Sequence, residues 1–139
     1  MRATFNDTGR PERRMSEIVA IAIGGAIGAL SRFWATNLAN IVFGTDFPYG
    51  ILIVNILGSF AIGILFVLLA ERLLISSTLG AGLIVGFLGA FTTFSTFSLQ
   101  ALGLLEAGRM AAAAFYIGGS VVICIAAAGL GMFVGRLVS

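Results

Sequence analysis

Four long apolar runs divide the chain after residue 16, and each one ends at charged or polar residues. The runs cover residues 17–38, 50–70, 78–105 and 111–135. A transmembrane α-helix needs about 20 consecutive apolar residues, so each run is long enough to cross a bilayer. The sequence therefore predicts an all-α membrane protein, a single domain of four transmembrane helices joined by short loops.

The composition supports lipid as the main solvent of this chain. Only 10% of the residues are charged and 59% are hydrophobic, with a mean hydropathy of +1.09. A soluble domain has roughly a quarter of its residues charged. We predict a multi-pass protein of a bacterial plasma (inner) membrane.

The basic residues do not predict a nucleic-acid surface, although the isoelectric point is about 9.3. All eight are arginines, and four of them lie at or before position 14. Because no extended basic stripe remains, no nucleic-acid partner is expected.

Residues 1–16 are predicted to form a polar, mobile leader. They place positive charge before the first apolar run, as in a signal peptide. That run is about 22 residues long and has no small-residue cleavage site, so it is interpreted as the first transmembrane helix.

Three pairs of glycines recur at a spacing of four residues within the runs. They are Gly24 with Gly28, Gly82 with Gly86, and Gly131 with Gly135. Small residues at this spacing let helices approach closely in lipid. We predict helix packing from these pairs, and no chemistry.

A few polar side chains fall inside the apolar runs. Arg32 could snorkel to the interface, or it could line a vestibule or brace a helix. Burying the Asn55 amide without hydrogen bonds would cost on the order of 2 to 7 kcal/mol. Asn55 is therefore expected either to hydrogen-bond one helix to another or to belong to a polar pathway. Tyr116 and Ser120 share one face of the fourth run.

The stretch GAFTTFSTFSLQ, residues 89–100, repeats phenylalanine every three residues with hydroxyls between them. A period of three drifts around a regular helix by about 60° per step, which favours a helix broken near its middle. Irregular backbone at membrane depth is tolerated where it lines a cavity or is buried in protein. The alternative is an intact interface helix whose hydroxyls bond back to carbonyls four residues earlier.

Neutral donors beside aromatic rings, with no carboxylate in the run, suit an anion, because ring edges carry partial positive charge. With these residues the chain resembles the Fluc family of small fluoride channels, also called the CrcB family. The resemblance covers nearly the whole chain from about Met15. Its segments are GGAIGALSR ending at Arg32, VNILGSF around Asn55, GFLGAFTTFSTFS over 86–98, and Tyr116 with Ser120.

The resemblance implies an antiparallel, dual-topology homodimer with two fluoride pores at its interface, embedded in the lipid bilayer and exporting fluoride passively for resistance. It implies a central structural sodium ion (Na+) held by the main-chain carbonyls of Gly89 and Thr92. It leaves Arg32 in a vestibule or helix-bracing role. The pore residues it implies are Asn55, Phe94, Ser95, Thr96, Phe97, Ser98, Tyr116 and Ser120.

Two residues depart from the family pattern. Gln100 stands where many relatives carry a glutamate, which puts an acidic gate at that pore mouth in doubt. Cys124 stands one turn past Ser120, where another serine is expected, and a thiol is a weak donor. As the single cysteine it forms no internal disulfide, and its ordinary interpretation is a small buried apolar residue.

Other classes of protein fit less well. A small multidrug exporter has similar length and helices, but proton coupling needs a carboxylate within the membrane, and Glu17, Glu71 and Glu106 all lie at run ends. An enzyme lacks support, since the chain has no histidine and no clustered acids. Without any lysine, a Walker-type nucleotide loop is impossible. A structural membrane subunit stays open as an alternative.

Dual topology requires a chain with little arginine bias between its two sides. The full sequence places six arginines on one side against Arg109 and Arg32 on the other, whereas a start at Met15 balances them two against two. We therefore hypothesise that residues 1–14 are a non-native leader. The mass of the natively expressed protein should then be that of a chain beginning at Met15. The mass of a chain beginning at Met1 would contradict the hypothesis.

Overall fold

The computed structural model describes residues 11–72 and 74–138, and within these ranges all regular secondary structure is helical. The helices are α1 (Pro11–Phe43), α2 (Tyr49–Glu71), α3 (77–91), α4 (Phe94–Glu106) and α5 (Met110–Val138). Four stretches are long and apolar enough to cross a membrane, with α3 and α4 together forming the third, Ser77–Glu106. The predicted all-α architecture with four membrane spans is confirmed for the described residues.

Helix α1 is already helical at Pro11, the first described residue, although the apolar run begins at residue 17. The Nη2 atom of Arg13 donates to Ser77 Oγ at 2.8 Å, and its Nε lies 3.8 Å from a Glu17 carboxylate oxygen. Residues 11–16 of the predicted leader therefore belong to α1. The apolar run did not include them because hydropathy marks only the apolar part of a helix. The remainder of that leader, 1–10, lies outside the described residues.

Two glycines with left-handed backbone follow helix ends. Gly44 has a φ of 79° and comes directly after α1, and its amide donates to the Asn40 carbonyl at 3.0 Å. Gly108 has a φ of 71° and follows the end of α4 at Glu106. Glycine adopts this conformation without the steric cost that a side chain would add, so it stops a helix sharply. The first membrane span therefore extends to Phe43, five residues beyond the predicted end.

Helix α1 packs on α3 through facing glycines. A methyl group at Gly24 would collide with the Gly82 carbonyl oxygen, and one at Gly28 with the Phe87 carbonyl oxygen. A methyl group at Gly86 would lie against the backbone of Ile21 at 2.7 Å. Backbone therefore meets backbone here, and the close approach predicted from the first two glycine pairs is confirmed.

Helices α2 and α5 make a second interface of the same kind. A methyl group at Gly131 would collide with the Phe60 carbonyl oxygen, and one at Gly63 with the Ala128 carbonyl oxygen. At the end of this interface, Arg136 of α5 donates to both carboxylate oxygens of Glu71, at 2.9 and 2.6 Å. The pair fixes the ends of α2 and α5 relative to each other with a two-pronged geometry.

Two segments have the wider turns of a π-helix, Val67–Glu71 at the end of α2 and Ala81–Leu88 within α3. Hydropathy does not distinguish these turns from α-helical ones, so the sequence did not predict them. Ala81–Leu88 contains the glycines that contact α1, and it ends one turn before Thr92. Single π-helical turns are frequent at functional sites.

The backbone contact at Gly28 predicts a clear stability difference between two glycines. Gly28→Ala should lower the free energy of unfolding by about 1–3 kcal/mol, because the added methyl must displace backbone atoms of α3. Gly129→Ala is the matched control on α5, where nothing lies within 4 Å of the added methyl group. Thermal unfolding in detergent measures both, and equal losses would contradict the packing description.

Candidate functional site

A groove of about 370 Å³ opens where α2, α3, α4 and α5 meet. It mixes neutral polar side chains with aliphatic and aromatic ones, and no charged residue of the described chain lines it. Its lining comprises Asn55, Gly58, Ser59, Ile62, Ile84, Leu88, Gly89, Thr92, Thr93, Phe94, Phe97, Ser120, Val121 and Cys124. A site with neutral donors and no fixed charge can bind an ion without retaining it strongly.

The groove forms around two extended residues between α3 and α4. Thr92 has φ −82° and ψ 160°, and Thr93 has φ −154° and ψ 126°. The Thr93 hydroxyl accepts from the Thr96 amide at 3.3 Å, which makes Thr93 the N-cap of α4. Threonine suits both roles, since its β-branch favours extended backbone and its oxygen satisfies a free amide of the first turn.

Asn55 of α2 pairs with the backbone of Thr93 through two hydrogen bonds. The Asn55 Nδ2 donates to the Thr93 carbonyl at 3.1 Å, and the Thr93 amide donates to Asn55 Oδ1 at 2.9 Å. In a regular α-helix the Thr93 amide would donate to the carbonyl of Gly89, four residues earlier. Asn55 therefore replaces the lost helical partner of Thr93, while also lining the groove.

Gly58 brings α2 close enough for this pairing. It lies about one turn after Asn55, and a methyl group there would collide with the Thr92 side-chain methyl. The VNILGSF segment thus combines a side chain that bonds to the extended residues with a glycine that leaves room for them. The sequence pointed to Asn55 as a buried amide but did not identify Thr93 as its partner.

Arg32 reaches the same place from α1. It is half-buried, and its Nη1 donates to the Thr92 carbonyl at 3.4 Å. Bracing of a helix, one of the roles predicted for Arg32 beside snorkelling and a vestibule, would use such a contact. The carbonyls of Thr92 and Thr93, which lie outside regular helix, are therefore contacted from α1 and α2 respectively.

Phe94 and Phe97 form an aromatic pair at the groove, with ring centroids 5.4 Å apart. Phe94 is 78% exposed, whereas Phe97 is buried. The Phe97 ring also packs on Tyr116, with centroids 5.1 Å apart. Of the predicted pair, the Phe97 ring is thus packed inside the protein, and the Phe94 ring stands at the exposed side of the groove.

Ser120 is buried and lines the groove, and its hydroxyl oxygen has no hydrogen-bond partner among the described residues. Cys124 lies one turn further along the same wall. A buried hydroxyl without a partner costs about 1–3 kcal/mol, so a ligand that accepts a hydrogen bond from it would recover that energy.

The other predicted pore residues lie elsewhere in the subunit. Tyr116 is fully buried outside the groove lining, and its hydroxyl donates to Gln100 Oε1 at 2.8 Å. Ser95 and Ser98 are exposed on α4, where the Ser98 hydroxyl donates to the Phe94 carbonyl at 2.9 Å. Thr96 is half-buried, and its hydroxyl accepts from Thr93 Oγ1 at 3.2 Å.

Thr93 and Ser59 line the groove without having been predicted from the sequence. The sequence did contain a signal for Thr93, because threonine is a favoured N-cap residue and Thr93 directly precedes the residues that form α4. Ser59 follows Asn55 by four residues, so the two share a face of α2.

The family model described as CrcB-like protein, Camphor Resistance (CrcB), matches residues 19–132. Three similar relatives are each named fluoride-specific ion channel FluC. The protein of Magnetococcus marinus is 47% identical over 122 residues, covering 88% of this chain and 99% of the relative. That of Hydrogenovibrio crunogenus is 43% identical over 120 residues, covering 86% and 91%. That of Methylococcus capsulatus is 47% identical over 119 residues, covering 86% of this chain but only about half, 52%, of the relative.

The pairing of Asn55 with Thr93 predicts that Asn55→Leu destabilises the junction of α3 and α4. Losing both hydrogen bonds leaves a backbone amide and carbonyl without partners, at about 1–3 kcal/mol for each group that stays buried. Hydrogen exchange should accelerate at the Thr93 amide. Ser59→Ala, one turn away in the same groove, is the matched control and should leave that exchange rate unchanged. Unaltered exchange in Asn55→Leu would contradict the pairing.

Proposed function

The chain belongs to the CrcB family, and from this premise we propose that it is a fluoride-selective channel that lets fluoride leave the cell passively. Relatives 43–47% identical to it carry the name fluoride-specific ion channel. The family is one of ion channels and not of enzymes. Four membrane spans make this chain a multi-pass membrane protein, as a channel requires.

The observation that carries the proposal is the Ser120 hydroxyl, which lacks a hydrogen-bond partner in the described part of the chain and lies in a groove that no charged residue of that part lines. Phe97 and Asn55 line the same groove. Hydroxyl, amide and ring edge all present partial positive charge to an anion. No carboxylate of the described chain lines it, so the groove offers no proton-coupling group for an exporter.

Fluoride is small and strongly hydrated, so a pore must replace its water with closely spaced donors. We infer that the ion passes dehydrated from donor to ring edge along the groove. Because these donors are neutral, each site binds the ion weakly enough to release it to the next. A larger, softer anion such as chloride fills the narrow track less favourably, which gives selectivity.

The exposed face of α4 supports a homodimer. It carries Ser95 and Ser98 beside Phe94 and Leu99, whose side chains are 78% and 70% exposed. Serine-bearing faces of membrane helices commonly pack against protein, because small polar residues are enriched where such helices meet. A second copy placed here would close the open side of the groove and bring Ser95, Ser98 and Phe94 to the ion path. Two pores at an antiparallel interface are the arrangement that the family resemblance implies.

The same resemblance implies a sodium ion held by the carbonyls of Gly89 and Thr92, and the donor chemistry of these residues fits. The Thr93 amide donates to Asn55, so the Gly89 carbonyl lacks the donor it would have in a regular helix. The Thr92 carbonyl accepts a long hydrogen bond from Arg32, at 3.4 Å. Carbonyl oxygens suit a hard cation. When bound, the ion would offset the negative carbonyl ends at the junction and hold two copies together. We also infer that this non-helical junction is the functional break of the third span.

The relatives come from bacteria, which is consistent with a bacterial plasma membrane. In an acidic medium neutral HF enters a cell and dissociates, so fluoride accumulates inside. Passive exit through a selective channel lowers that internal concentration. We therefore infer a role in fluoride resistance.

The proposed path predicts that Ser120→Ala and Phe97→Ile slow fluoride efflux from proteoliposomes while the protein stays folded. The loss of one hydrogen bond, worth about 0.5–1.5 kcal/mol, should slow efflux roughly 2- to 10-fold for Ser120→Ala. Phe94→Ile should also reduce efflux. Phe133→Ile changes an exposed ring of α5 outside the groove and serves as the control. Unchanged efflux in all three groove variants would favour a structural subunit instead.

A further inference from the structure

We infer that Gln100 is a positioning residue, which holds Tyr116 and through it the Phe97 ring at the edge of the ion path. This inference rests on the proposed channel function. It assigns a role to the residue where many relatives carry a glutamate. Neither Gln100 nor Tyr116 lines the groove, so the role is exerted through Phe97, which does.

The Tyr116 side chain is completely buried, so its hydroxyl needs a partner inside the protein. Gln100 supplies one from α4, because its Oε1 accepts a hydrogen bond from the Tyr116 hydroxyl at an O···O distance of 2.8 Å. The bond joins α5 to α4 and fixes the tip of the tyrosine ring. Because the Tyr116 hydroxyl donates its hydrogen bond to Gln100, it is not a free donor for an anion.

The Tyr116 ring is held between two phenylalanines. Its centroid lies 5.1 Å from that of Phe97 at an interplanar angle of 44°, and 5.5 Å from that of Phe47 at 85°. An edge-on contact on one side and a tilted contact on the other leave the ring little freedom. A shift of the tyrosine tip therefore moves the surface on which Phe97 packs.

Phe97 transmits that shift to the groove. It is 8% exposed and belongs to the same buried cluster as Tyr116, so we expect its ring to move when Tyr116 moves. Its ring lines the groove, and a ring edge presented there would offer the anion partial positive charge. Gln100 thus sets how well that edge meets fluoride, and it does so without adding negative charge near an anion path.

Single-channel or macroscopic fluoride currents in planar bilayers, measured over a range of fluoride concentrations, test this role. The variants are Gln100→Met, Tyr116→Phe and the double variant, with Tyr49→Phe as the matched loss of a hydroxyl elsewhere. If Gln100 positions Phe97, both single variants raise the half-saturating fluoride concentration roughly three- to tenfold. The double variant gives the same shift as either single one, since all three remove one bond.

Other outcomes overturn the inference. A lower maximal current with an unchanged half-saturating concentration would mean that the bond only stabilises the fold. Additive shifts in the double variant would mean that Gln100 and Tyr116 act independently. Should Gln100→Met fail to fold, Tyr116→Phe decides alone, because it preserves the ring. Absence of current in the unmodified protein would refute the proposed function, whereas normal current with unshifted variants would refute only the role of Gln100.

Discussion

The structure depends on satisfying the backbone of two extended residues, Thr92 and Thr93, within a membrane span. Lipid offers no hydrogen bonds, so each exposed backbone group there would cost several kcal/mol. Asn55 supplies both a donor and an acceptor to Thr93, and Arg32 donates to the Thr92 carbonyl. The groove therefore also depends on the glycine contacts that bring α1 and α2 close to these residues.

No charged side chain of the described residues lines the groove, although Arg32 donates to the carbonyl of Thr92 beside it, and this determines the chemistry of the groove. Glu71 and Arg136 pair with each other at one end of the bundle, and Arg109 donates to the Asp46 carbonyl at the other. The groove itself is lined by neutral hydroxyl and amide side chains beside two phenylalanine rings. Neutral donors match an ion that must enter, lose water and leave again, since a fixed positive charge would retain it.

The sequence predicted the features that follow from local pattern, because hydropathy determines membrane spans and glycine spacing determines close contacts. It could not predict the partner of Asn55, since Thr93 lies 38 residues away and only the packing of α2 on α3 brings them together. The same applies to Tyr116, whose hydroxyl could have faced the groove or Gln100 with equal sequence support. The observed helix ends differ from the predicted ones because polar flanks such as residues 11–16 continue the helix beyond the apolar run.

The measurement that most directly tests fluoride conduction is the reversal potential of the purified protein in a planar bilayer, with a fluoride gradient opposed by a chloride gradient. A path of neutral donors narrow enough to strip water from fluoride should reverse at the fluoride equilibrium potential, whatever the chloride concentrations. A reversal potential that follows chloride, or that lies between the two equilibrium potentials, would contradict a selective fluoride path. A bilayer with folded protein and no current would contradict conduction altogether.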